Sequence, residues 1–118
     1  MDSEQLLKKE LQEIEEERYQ AEKLESEVLS EEEYFFEDMT QRVHSVYESQ
    51  EQWGQDPMMG YLFEEQADLL RQVQQNRQDF MDTWVTEMKT YKQKLSDQED
   101  HCTEKLYKER QGEIKEEN

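Results

Sequence analysis

Few residues of this chain are equipped for chemistry. It holds two histidines, His44 and His101, and a single cysteine, Cys102, in 118 residues. Glu99, His101 and Cys102 lie close together, but a zinc site needs about four converging ligands. Asp100 and Glu104 beside His101 read as a solvated helix face rather than an acid–base pair. His44 is far away in sequence, and no pairing of the helices returns it to His101. Glu13, Glu15, Glu16 and Glu17 form an acidic run that could attract calcium loosely, without the spacing of an EF-hand. There is no Gly-rich phosphate loop, no nucleophile motif and no HExxH. The chain reads as a non-enzymatic protein that needs no metal or cofactor.

The elements that carry these residues read more clearly. Leu7, Ile14, Ala21, Val28 and Phe35 recur every seven residues, and no Gly or Pro interrupts the stretch up to Trp53. This spacing predicts a first helix over about 3–53, on the order of 75 Å long at ~1.5 Å per residue. Gly54 suits a helix C-cap, and Asp56-Pro57 suits an N-cap followed by the first residue of a new helix. With Gly60 weakening that start, the turn is expected over 54–60 and a second helix over about 61–111. Gly112 and the polar residues after it read as a frayed tail over 112–118.

The apolar residues mirror one another about the turn formed by Trp53, Gly54, Asp56 and Pro57. Trp53 pairs with Leu62, Val46 with Leu69 and Leu70, Val43 with Val73, and Phe35 with Phe80. Val28 pairs with Met88, Leu24 with Tyr91, and Ala21 with Leu95. Two antiparallel helices of equal rise need this symmetry if their stripes are to meet. The expected fold is all-α, a single domain over 1–118 built as a long antiparallel two-helix hairpin resembling a coiled coil. Its expected seam is Val28, Phe35, Val43, Val46, Leu69, Val73, Phe80 and Met88. The same mirror sets Glu22 against Lys94, Glu27 against Lys89 and Asp38 against Arg77.

Composition limits the partners. Hydrophobic residues make up 32% and charged residues 39%, with a mean hydropathy of -1.35, so a thin interhelical seam fits better than a bulky core. Acids outnumber bases by 32 to 14, for a formal charge of -18. Nucleic acid and acidic membrane surfaces are disfavoured, because both call for clustered Lys and Arg. Apolar runs stop at three or four residues, against the ~20 a membrane span requires. The opening Met1-Asp2-Ser3-Glu4 lacks the basic and apolar regions of a signal peptide, and one cysteine suits a reducing compartment. The expected location is the cytoplasm, with export alongside a cargo, without a cleaved signal, left open.

The hairpin carries more apolar surface than one seam can use. Tyr34, Phe35 and Phe36 are consecutive, so on a helix they fan over about 200°. Phe80, Met81, Trp84, Val85 and Met88 form a wide band on the second helix. Leaving such residues uncovered invites aggregation. The expected partner-binding set is Tyr34, Phe36, Met81, Trp84 and Val85, completing a multi-helix bundle with another chain.

The acidic Glu/Gln-rich opening helix, the Tyr34-Phe35-Phe36 cluster and the Trp53-Gly54 turn leading into Leu62-Phe63 together resemble a known group. It is the WXG-type small proteins of type VII secretion, and within them the small helical partners of LXG toxins. The aromatic middle and polar heptad tail of helix two extend the resemblance over nearly the whole chain. It implies a chaperone or targeting factor that bundles with the helical N-terminal region of a toxin, with a second small helical protein as a further partner. The chain departs from the pattern in two places. Trp53 and Gly54 are adjacent, where the family has Trp-X-Gly. The family's export signal is an aromatic followed four positions on by an acid, after the second helix. Tyr34/Asp38, Tyr47/Glu51 and Tyr61/Glu65 have that spacing, but Tyr91 and Tyr107 are followed by Leu95 and Gln111. Two other readings compete: a coiled-coil scaffold that self-associates as a homodimer, and an acidic inhibitor of a basic protein.

Overall fold

Both long helices form where the heptads place them. A computed structural model describes residues 2–53 and 55–117, with side chains up to residue 112. The first helix, α1, spans Ser3–Trp53 and the second, α2, spans Pro57–Glu117, with no strand among the described residues. The fold is an all-α helical hairpin.

Local chemistry sets the helix starts. The Asp2 carboxylate accepts the Gln5 amide at 2.8 Å and caps α1. Asp56 does the same for α2, accepting the amides of Met58 at 3.0 Å and Met59 at 3.3 Å, and Pro57 follows in the position where its missing N–H costs nothing. The Asp56 amide donates to the Trp53 carbonyl at 3.0 Å and closes the turn. Because this cap is satisfied, α2 begins at Pro57 rather than near residue 61, and Gly60 is absorbed into its first turn, donating to the Asp56 carbonyl at 2.8 Å. Helix α2 also continues through Gly112 to Glu117, past the expected fraying point. The C-cap expected at Gly54 lies outside the described residues.

The chain divides into two compact units. One comprises Met1–Ser26 with Thr86–Asn118, the other Glu27–Val85. In the first unit Ile14, Ala21, Met88, Leu95, Cys102 and Leu106 are buried. The ion pairs Glu4–Arg110 at 3.1 Å, Arg18–Glu99 at 2.5 Å and Lys92–Glu25 at 3.0 Å run in opposite directions along the two helices, which are therefore antiparallel. In the second unit Met39, Val46, Ala67 and Met81 are buried, and Arg77 bridges to Glu32 at 2.7 Å.

Covered positions in α1 step by three and four residues, through Leu11, Ile14, Arg18, Ala21, Glu25, Val28, Glu32, Phe35 and Met39. Two consecutive steps of four, Phe35–Met39–Val43, make a stutter that locally unwinds a supercoil. In α2 the same spacing runs through Phe63, Ala67, Leu70, Gln74, Arg77, Met81, Trp84 and Met88. Several seam positions are thus long polar side chains, whose stems cover the stripe while their heads pair across it.

This register corrects the expected seam. Val28, Phe35 and Val43 are half-buried, and Val46 and Met88 are buried. Leu69, Val73 and Phe80 are exposed. Each lies one residue before a seam position, beside Leu70, Gln74 and Met81 respectively. Rotating α2 to bring them inward would expel Ala67, Leu70, Met81 and Trp84, a larger apolar set. Leu24, Tyr91, Trp53 and Leu62, which the mirror also paired, are exposed as well. Arg77 takes Glu32 rather than Asp38, and Asp38 pairs with Arg42 one turn along its own helix at 2.9 Å.

Candidate protein-binding surface

Seven of the uncovered apolar residues of the Glu27–Val85 unit sort into two rows, one on each side of the seam; Tyr34, Tyr47, Trp53, Met58 and Tyr61 are exposed as well. On α2, Val73 and Phe80 precede seam positions by one residue, with Leu62 and Leu69 beside them on the same side. On the other side Leu29, Phe36 and Val85 follow the seam residues Val28, Phe35 and Trp84 by one. All seven are exposed.

The expected partner-binding set therefore does not form one patch. Tyr34 and Phe36 are the most exposed of it, at 74% and 63%, but two residues on a helix differ by about 200° and point to opposite sides. Val85 is exposed on the Phe36 side. Trp84 is half-buried. Met81, only 5% exposed, is a seam residue and not available to a partner. Sequence reasoning placed Val73 and Phe80 inside when they belong to the surface. The signal that separates them from Met81 is the seven-residue repeat of Ala67, Gln74, Met81 and Met88, masked by a glutamine in an apolar row.

Phe35, Val73, Asn76, Arg77 and Phe80 line one open groove. The Arg77 guanidinium lies 5.3 Å from the Phe35 ring centre and 5.6 Å from that of Phe80, while its Nε donates to Glu32. Both rings are thus within cation–π distance of one guanidinium. Phe35 also lines a groove on the opposite side, together with Glu32, Phe36, Arg71, Gln74, Gln75 and Gln78. There the Arg71 guanidinium donates to the Tyr47 hydroxyl and lies 6.0 Å from its ring centre.

Each exposed side chain in these rows is already about half shielded by its own helix, so covering it recovers on the order of 1 kcal/mol. An occupant must cover several at once, as a helix lying along the row does.

The rest of the chemistry is quiet. Cys102 is 2% exposed, its thiol donates to the Leu7 carbonyl at 3.2 Å, and burial pushes its pKa up. His44 is exposed and pairs with Glu48 at 3.0 Å, and His101 is exposed. Among the described residues no group of three His, Cys, Asp or Glu side chains could hold a metal ion. No described helix is long and apolar enough to cross a membrane.

The chain matches no protein-family model, no curated protein and no solved structure.

Proposed function

We propose that the protein is a non-enzymatic adaptor that binds the helical N-terminal region of an LXG-type toxin and helps target it to a type VII secretion system. The observation that carries this reading is the pair of uncovered apolar rows flanking the seam of the Glu27–Val85 unit. Such rows complete a bundle when further helices lie beside a hairpin. The aromatic cluster, the Trp53-Gly54 turn and the heptad tail supply the link to type VII partners. A second small helical protein has a place too, because two rows on opposite sides can take two helices.

The test is co-expression with the helical N-terminal region of an LXG toxin encoded beside it. A stable stoichiometric complex, lost when Phe36→Asp and Phe80→Asp are combined, is the expected result. A protein that stays alone, as a clean dimer with both rows covered, would support the self-associating scaffold instead.

A further inference from the structure

We propose that the row containing Val73 and Phe80 is the docking groove for a basic-edged amphipathic helix of another protein. This deepens the adaptor reading and rests on it for the identity of the partner, but not for the chemistry of the groove.

Two observations specify the occupant. The first is the shape of the row. Leu62, Leu69, Val73 and Phe80 extend over 19 residues of α2, 18 steps or about 27 Å at ~1.5 Å per residue, the length of five turns of helix. Phe35 contributes from α1 to the groove floor.

The second is charge. Gln66, Val73 and Phe80 repeat every seven residues on α2, and Glu31, Asp38 and Ser45 do so on α1. Asp38, Ser45 and Gln66 line one groove, which puts both repeats on the same side of the seam. Three of the seven acids between Leu24 and Gln41 stand one residue before a seam position and so form the α1 wall of this side: Glu27, Glu31 and Asp38, the last paired with Arg42. The Glu27–Val85 unit as a whole has 14 acids against three bases, Arg42, Arg71 and Arg77. All three are engaged, with Asp38, with Asp68 and Tyr47, and with Glu32 respectively. A second copy would bring the same acidic unit against its like. A helix with an apolar stripe and a Lys/Arg edge meets apolar surface with apolar surface and the acidic wall with opposite charge.

The experiment uses the full-length protein and two helix-stabilised synthetic peptides of about 21 residues, the length that fills the groove. Both carry the same Leu stripe; one has Lys and Arg along its edges, the other Glu. Fluorescence anisotropy should show saturable one-to-one binding of the basic-edged peptide and about tenfold or weaker binding of the acidic-edged one. Val73→Asp or Phe80→Asp should weaken the basic-edged peptide about tenfold or more, with helicity by circular dichroism unchanged. Phe36→Asp and Val85→Asp should leave it in place. Charge reversal by Glu31→Lys with Asp38→Lys should move the preference toward the acidic-edged peptide. Equal binding of both peptides, or binding lost only with Phe36→Asp or Val85→Asp, would overturn the proposal. So would a homodimer of the free protein that Phe80→Asp dissociates, since a second copy would then fill the groove. Toxin binding that depends on Phe36 alone would keep the adaptor reading and reject this groove. Peptide binding without any toxin binding would do the reverse.

Discussion

Arg77 fixes the middle of the Glu27–Val85 unit with one side chain. Its Nε donates to Glu32 at 2.7 Å while its planar head lies over Phe35 and Phe80. A lysine would keep the charge and lose both the directed hydrogen bond and the flat stacking surface. The pair is partly solvated, with side-chain exposures of 37% and 21%, so the ion pair itself is worth little. Most of the loss in Arg77→Lys comes from the rings, ~0.5–1 kcal/mol per exposed contact. We expect a destabilisation of about 1 kcal/mol, seen as a melting temperature lowered by about 4 °C in circular dichroism. Cys102 shows the opposite use of a reactive residue. Buried against Leu7, with its thiol kept protonated chiefly by burial and secondarily by Glu10, it should resist a disulfide reagent in the folded protein and react once urea unfolds the chain. Rapid reaction under native conditions would mean that this end of the seam opens readily. The buried place of Cys102 is legible in the seven-residue spacing of Met88, Leu95 and Cys102. Arg77 in the seam is not, because an apolar pattern gives no weight to a side chain whose stem is buried and whose head is not.

At the scale of the helices, the existence, type and direction of both elements follow from heptad spacing and an uninterrupted run of good helix formers. Their facing was harder to read. Leu69, Val73 and Phe80 form an apolar row as regular as the true seam and only one residue away from it. With Gln74 and Arg77 inside and valine and phenylalanine outside, hydrophobicity alone selects the wrong row. The ends of α2 show the same limit: a start delayed to about residue 61 by Gly60 and a fraying end at Gly112 gave way to a helix that begins directly at the expected Asp56-Pro57 cap and continues to Glu117. A Cβ added at Gly112 would meet nothing within 4 Å, so Gly112→Ala should stabilise α2 by up to ~0.5–1 kcal/mol, less so for a position near the helix end. A small gain in helical signal and melting temperature would show it. Where α1 begins, Arg110 and then Lys8 hold the Glu4 carboxyl below the usual glutamate range. A depressed native pKa contributes stability above the unfolded value and loses it as pH falls through the native one. In an NMR titration the Glu4 carboxyl should titrate below a free glutamate, and Arg110→Ala should move its midpoint back up.

For the whole molecule, net charge opposes the seam. A formal charge of -18 is carried by two helices that bury small and medium side chains and, among the described residues, no polar one. Cross-helix pairs such as Arg77–Glu32 and Lys92–Glu25 pull the helices together, but each is partly exposed and individually weak. Repulsion among the remaining acids acts at longer range and is therefore the more sensitive to salt. Between about 10 mM and about 100 mM ionic strength the screening length falls from ~30 Å to ~10 Å, which removes most of the distant repulsion and leaves charges in contact at 2.7–3.0 Å comparatively intact. Melting temperature should therefore rise with salt over this range. A fall would mean that the seam ion pairs outweigh the net charge. Binding of a basic helix should respond in the opposite sense, tightest at low salt and weaker as the acidic wall is screened, with a residual affinity set by Val73 and Phe80. Opposite salt slopes for folding and for binding, measured on the same preparation, are the signature of a hairpin whose excess acid is held for a partner.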